Sequence, residues 1–456
     1  MSTSTFRFSS FCFAIALAFA TMGFAQNDPE AAAAVSGAAA GYGDLAPVDA
    51  TQLPGNTGAT SSLVIDATTG TVVSGLGGGG FNPSFAKSRA AADVSRIDGL
   101  NTIPTFDGAF FAQAGPSSQG GKLWRYSMMG NSPLIGGTTT LPAQIDEVSL
   151  QLLNADGTVF KTVSMDSFED LFLESPNFSN RVTYGTGAHI QYADAIHRAQ
   201  FFNQMKPNWH TNFAPTVVSK TTITVPRFVN VRLSNGTIVT ARSYFTGTAA
   251  DGSTFVLMLS PLFNFFFGNE VVNQINNGNF TTDGVSMLLF PNTFLFNLNT
   301  ANPNAPGGCC VLGFHTYFYD PPTTPQDRWV TMYASWISPG LFGGGFLDVT
   351  ALSHEISESF ADPFVDNATP VWQFPGVPAN AKVCQNNLEE GDPIEVLSNA
   401  TIPIAVKNGK QIFTYHPQNI PLVQWFEMGP SSNAIDGAFS YPDETLLPHS
   451  ALPCPQ

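Results

Sequence analysis

The residues best suited to chemistry fall together in Ser353-His354-Glu355-Ile356-Ser357-Glu358, and their spacing is that of a helix face. Val349, Leu352, Ile356 and Phe360 recur at i, i+3, i+7 and i+11, one stripe at the helical period. The pattern predicts a helix from Asp348 to Asp362, with Asp348 placed to cap its start and Pro363 to stop it. His354 and Glu358 then sit about 6 Å apart along the axis on a shared face, away from the apolar stripe. An imidazole and a carboxylate so placed can converge on one metal ion. Glu355 is adjacent and turned to one side, where a carboxylate can take a proton from a water held by that ion. The same polar residues also describe the solvated face of an ordinary amphipathic helix, so spacing alone does not decide. The context favours ligation: only 11% of the chain is charged, yet His354, Glu355, Glu358 and Asp362 fall within nine positions.

A third ligand must come from elsewhere. Asp362 lies two turns beyond His354, about 12 Å along the axis, which makes it a helix-end or supporting residue. The acidic turn Leu388-Glu389-Glu390-Gly391-Asp392-Pro393-Ile394-Glu395 is the better source. Stiffened by Gly and Pro, it is expected to deliver Glu390 to the metal, with Asp392 as the alternative. The competing readings are a bland surface turn or a calcium site, since hard oxygen donors favour that ion. Zinc is the expected metal and calcium the alternative. Weaker candidates are His315, on an aromatic strand just before the helix and read as a core residue with the cleft as its alternative, and Tyr415-His416, read as an oxyanion donor above the metal. The chain holds no G-x-S-x-G nucleophile elbow.

Positioning these residues requires strands. Residues 148–153 turn through Asp156-Gly157 into residues 158–160, and residues 230–233 turn through Asn235-Gly236 into residues 237–239. Asp-Gly and Asn-Gly between alternating strands are hairpin signals because both residues tolerate positive φ. Residues 192–202 read as a helix. Apolar runs at 285–290, 311–319 and 329–337 read as strands preceding the motif helix. The last of these is expected to align an extended peptide by edge pairing.

Arg7 followed by the apolar run 11–20 and small residues up to Ala25 reads as a secretory signal over residues 1–25. Residues 26–100, rich in Ala, Gly, Ser and Thr, read as a linker or propeptide that cannot bury enough apolar surface to order itself. A β-rich domain is then expected over 101–215 and a second domain over 216–456. With 18 basic against 34 acidic residues the net charge is -16, which argues against nucleic acid and anionic membrane surfaces as partners. No later run is apolar for long enough to span a bilayer. Export leaves Cys309, Cys310, Cys384 and Cys454, which allow three pairings. The adjacent pair is expected to reach different partners, because a vicinal bridge strains the backbone.

Three segments carry a resemblance: Gln191 to Ala199 (QYADAIHRA), His354 to Asn367 (HEISESFADPFVDN) and Cys384 to Pro393 (CQNNLEEGDP). They resemble a family of secreted bacterial proteins of uncharacterised activity, over most of the chain beyond residue 100. More distantly, the HExxE…DP and E-G-D pair is similar to plant phosphate-induced (EXORDIUM-like) proteins. The helix alone is similar to that of zincin metallopeptidases. The zincin likeness implies an α+β fold: a β-rich N-terminal domain, then a zincin-like α+β domain with a mixed sheet and a metal-site helix. It also implies a peptidase in which His354, Glu358 and Glu390 hold zinc, Glu355 acts as general base, and metal-activated water attacks a peptide carbonyl. Zincins have His where this chain has Glu358, and an anionic ligand makes the metal a poorer Lewis acid. The alternative is a non-catalytic secreted or surface protein whose carboxylates hold a structural ion.

Overall fold

The structure, a computed structural model, describes residues 48–49, 64–67, 100–112, 121–184, 189–319, 327–343, 345–376 and 383–454. At its centre is a seven-stranded mixed sheet. Across it run Val48–Asp49, Gly313–Tyr319, Arg328–Trp336, Val285–Pro291, Thr138–Leu153 and Val159–Val163, and His210–Val225 also pairs with Thr138–Leu153. Val285–Pro291 lies parallel to both its neighbours, whereas Gly313–Tyr319 is antiparallel to Arg328–Trp336.

Every residue of Val285–Pro291 and Arg328–Trp336 is buried. Such strands can be covered on both faces because they carry apolar or small polar side chains at almost every position. Two helices supply the cover. On one face, Phe263 and Phe267 of the helix Ser260–Asn276 meet Phe314 at ring separations of 6.0 and 4.9 Å. On the other, the helix Thr350–Ala361 packs against Arg328–Trp336 and Gly313–Tyr319. Side chains alternate along a strand, so Phe314 and Phe318 belong to the first face while Gly313 and His315 face the second helix.

The fold is α+β with mixed sheets, as the sequence implied, and both expected hairpins form, with Gly157 at φ 82° and Gly236 at φ 85°. Other expectations give way. The boundary at 215/216 falls inside His210–Val225, and one buried core extends from Ile103 to Tyr441, so the segments 101–215 and 216–456 share a sheet and a core. Within the expected linker, Val64–Asp66 pairs with Phe228–Arg232 and Ile65 is fully buried, while Val48–Asp49 pairs with Phe318 and Tyr319. Short β-branched runs there find sheet edges, which composition averaged over the segment conceals. The expected signal, residues 1–25, lies outside the described residues.

The strand at 329–337 is interior, with partners on both sides, so its hydrogen-bonding groups are taken and it cannot pair with a peptide. The cysteine expectation is also overturned. Cys384 and Cys454 bond to each other, lying on the two strands that flank Ala368–Gln373, or just beyond. That leaves Cys309 and Cys310, whose sulfurs are joined to each other. No helix among the described residues is long and apolar enough to cross a membrane.

Candidate metal centre

The motif helix spans Thr350–Ala361, starting from Val349 and ending at Asp362. Asp348 does not cap it. At φ 39° its carboxylate instead accepts the Val349 and His416 amides at 2.7 and 2.8 Å and pairs with His416 Nδ1 at 2.7 Å. The Tyr415 hydroxyl donates to the Leu171 carbonyl. These two side chains are thus engaged elsewhere, and the expected oxyanion role has no geometric basis.

Leu352, Ile356 and Phe360 enter the core as the spacing required, but every other residue of the helix is buried as well. The polar face is therefore not a solvated face. It is covered by the strand Gly313–Tyr319, by the acidic turn 388–395 and by Gln418. Two glycines allow the approach. A Cβ on Gly313 would lie 2.6 Å from Glu355 Oε1, and one on Gly391 would lie 2.6 Å from atoms of the His354 ring. Each glycine sits where any other residue would push a donor side chain aside.

Under this cover the donors form two groups, each with its ligand atoms within 4.8 Å of one another: His315 with Glu355 and Glu358, and His354 with Asp392 and Glu395. In the first, His315 Nδ1 stands 3.5 Å from Glu355 Oε2 and 3.5 Å from Glu358 Oε2. In the second, His354 Nε2 is 2.9 Å from Glu358 Oε1 and 3.5 Å from Asp392 Oδ1. A spacing near 3.4 Å is roughly the edge of a tetrahedron whose corners lie about 2.1 Å from its centre, the geometry of a zinc-type ion with N and O ligands.

Both imidazoles are aimed by the atoms behind them. His315 Nε2 donates to the Asp362 main-chain carbonyl at 3.0 Å, which turns Nδ1 towards Glu355 and Glu358. His354 Nδ1 donates to Gln418 Oε1 at 3.1 Å, which turns Nε2 towards Glu358 and Asp392. Gln418 is itself held by its amide on Ser353 Oγ at 2.8 Å and by its side-chain NH2 on the Gly391 carbonyl. Gly391 returns an N–H to Glu358 Oε1 at 3.1 Å. A backbone or amide acceptor behind each histidine is the arrangement that orients metal-binding imidazoles. His315 Nδ1 and Glu355 Oε2 are buried without a hydrogen-bond partner. Orphaned buried atoms of this kind, facing each other, fit an ion between them.

The electrostatics carry the same message. Burial would push both imidazoles down, but Glu355 and Glu358 outweigh it for His315, and Glu358 and Asp392 for His354, so both rise well above the ordinary histidine range. Burial pushes Glu355 up to about 7, opposed by His315 and His354. Glu358 goes the other way: burial disfavours its charge, yet the two imidazoles hold it below the usual carboxylate range. Asp392 is raised by burial and by Glu358, and Glu395 by burial and Asp392. Several carboxylates thus compete for two imidazoles in a dry site, which a cation relieves.

Of the expected ligands, His354 and Glu358 meet directly, and Glu355 lies one residue aside as foreseen. Glu390 is not among the convergent atoms. It is fully buried, both its oxygens lack a hydrogen-bond partner, and burial together with Glu358 raises it well above the carboxylate range. Asp392, two residues on, reaches His354 in its place. His315, read as a core residue with the cleft as its alternative, lies with Glu355 and Glu358. Its odd position beside Gly313 on a strand leading towards the motif was the available signal. Glu395 lay within the acidic turn already singled out, whereas Gln418 gave no signal. Asp362 acts as expected, at the helix end, accepting the Asp366 and Asn367 amides at 2.9 and 3.0 Å. Comparison with protein-family models, with curated proteins and with solved structures gives no match.

Proposed function

We propose that this chain is an exported protein that binds a divalent metal ion beneath the helix Thr350–Ala361, and that the ion ties this helix to the acidic turn 388–395 and to the strand Gly313–Tyr319. One observation carries the reading: His354 and His315 are each oriented by an acceptor behind the ring so that the free nitrogen faces buried carboxylates. The donors are enclosed, with side-chain exposures of 0% for His315, 4% for Glu358 and 10% for His354. Enclosure of this degree suits an ion that stabilises the fold. The mixed imidazole and carboxylate set suits zinc or manganese better than calcium, which takes oxygen ligands. The test is metal analysis of purified full-length protein with thermal melting before and after chelation. Bound metal at stoichiometric level, a lower melting temperature after EDTA, and loss of both effects in Glu358→Ala are expected. Protein that carries no ion and melts identically with and without EDTA would sink the reading.

A second reading, a metallopeptidase, is favoured by one observation: burial leaves the Glu355 carboxyl at about 7, the range in which a general base works near neutral pH. In this reading His354 and Glu358 hold the metal, which supplies Lewis acidity, and Glu355 accepts the proton. Hydrolysis of an unstructured protein such as casein, abolished by Glu355→Gln, supports it. Absence of hydrolysis by the metal-loaded wild type rejects it.

A further inference from the structure

We infer that the centre takes two divalent transition-metal ions, bridged by the carboxylate of Glu358. The inference rests on the metal-binding reading above and gives that site its nuclearity. Glu358 divides its two oxygens between the two imidazoles. Oε1 faces His354 Nε2 at 2.9 Å, and Oε2 faces His315 Nδ1 at 3.5 Å. Each imidazole has its own further carboxylates: Asp392 and Glu395 with His354, Glu355 with His315. The two nitrogens approach opposite oxygens of one carboxylate, and the remaining donors divide into two separate groups, which is the arrangement of a carboxylate that bridges two ions. Two ions, one on each oxygen, would lie about 3.5–4 Å apart, the usual spacing of a two-metal site.

Two independent observations support the second ion. First, His315 Nδ1 and Glu355 Oε2 are buried, lack a normal hydrogen-bond partner and face each other across 3.5 Å, a spacing suited to a shared cation. An ion placed only at His354 would leave both unsatisfied. Second, the cluster is strongly acidic. Glu355, Glu358, Asp392 and Glu395 bring up to four negative charges, which two divalent ions compensate more fully than one. The Asp362 carbonyl behind His315 and the Gln418 amide behind His354 then play equivalent parts, one for each ion. Glu355 becomes a ligand, which removes it as the general base of the peptidase reading.

The experiment uses the full chain, stripped with EDTA and reloaded with manganese(II) chloride. Bound ions are counted by equilibrium dialysis, and the product is examined by electron paramagnetic resonance. The expected result is two manganese ions per chain with the spectrum of an exchange-coupled pair. His315→Ala and Glu355→Gln should each reduce the count to one and give the six-line spectrum of an isolated ion, as should Asp392→Asn from the other side. Circular dichroism of each variant establishes that it folds, and the wild-type count stands without them. One ion per wild-type chain with a six-line spectrum overturns the two-ion centre while leaving the metal-binding reading intact. No bound ion overturns both.

Discussion

Gln418 touches no carboxylate of the centre, yet three of its hydrogen bonds converge there. It accepts from His354 Nδ1, donates to the Gly391 carbonyl and receives its place from Ser353 Oγ. Leucine is of similar size but offers no acceptor, so Gln418→Leu frees the His354 ring to rotate and unpins Gly391, whose N–H reaches Glu358. Loss of such an orienting partner costs roughly 10–100-fold in metal affinity. Competition against a chelator of known affinity should show that loss with the fold intact by circular dichroism; unchanged affinity would remove Gln418 from the site. At this scale the sequence was only partly legible. His354, Glu355 and Glu358 could be read because one helix holds them at fixed spacing. Asp392 and Glu390 are two residues apart on one turn, and which of them points inward depends on Gly391 lying flat against His354. His315 and Gln418 reach the centre from a strand and a loop distant in sequence, and no local period relates them to the motif.

The motif helix is anchored by its apolar stripe, and that stripe was fully legible. Phe360 shows what it does. Fully buried, its ring lies edge-on to His197 at 4.8 Å and to Phe213 at 5.1 Å, joining the helix to Tyr192–Gln200 and to the strand His210–Val225. Phe360→Ala leaves a cavity between three elements and should cost about 3–5 kcal/mol. Urea denaturation of the metal-free protein measures it, and a loss below about 1 kcal/mol would mean that the neighbours collapse into the gap. Glu358 is carried by the same helix, so the same variant should also weaken metal retention. The hairpins were legible for a similar reason: a turn and its two strands are consecutive. The neighbours of Arg328–Trp336 were not. Its run of buried residues fits an interior strand, but the alternative, an edge strand open to a peptide, differs only in partners that lie elsewhere in the chain. The same limit hid the place of Val64–Asp66. The Cys384–Cys454 bridge, closing a separation of 70 residues, acts on this scale too. By chain entropy its removal should cost about 4 kcal/mol, seen as a lower urea midpoint in the Cys384→Ser, Cys454→Ser double variant. An unchanged midpoint would show that the strands around Ala368–Gln373 hold without it.

Across the whole molecule, burial has placed protons where a solvated chain would not hold them, and this fixes how stability depends on pH. Asp146 is pushed from 3.8 up to about 7, first by burial and then by the charge of Glu270, and burial alone takes Glu427 from 4.5 up to about 7. Between those limits the folded protein holds protons that the unfolded chain has released, so each group stabilises fully below its unfolded value and the contribution is lost as pH rises towards 7. His197 opposes them. Burial lowers it from 6.5 to about 3, so its contribution is present above 6.5 and is lost as pH falls. Two carboxyls against one imidazole leave a net decline up to pH 6.5, and above it His197 no longer offsets anything. His315 and His354, raised well above the ordinary value, then add to the decline of the metal-free form, because their stabilisation is complete below the unfolded histidine value and is lost at higher pH. The melting temperature of EDTA-treated protein should therefore fall steadily from pH 5 to pH 8. Asp146→Asn, which keeps the shape of the protonated side chain and cannot ionise, should flatten the part of the decline below pH 7. Protein saturated with manganese should lose the histidine part above it, since liganded imidazoles no longer titrate. A melting temperature that rises with pH in the metal-free protein would contradict the buried-carboxyl account. One that falls equally with and without metal would instead separate the histidines from the ion.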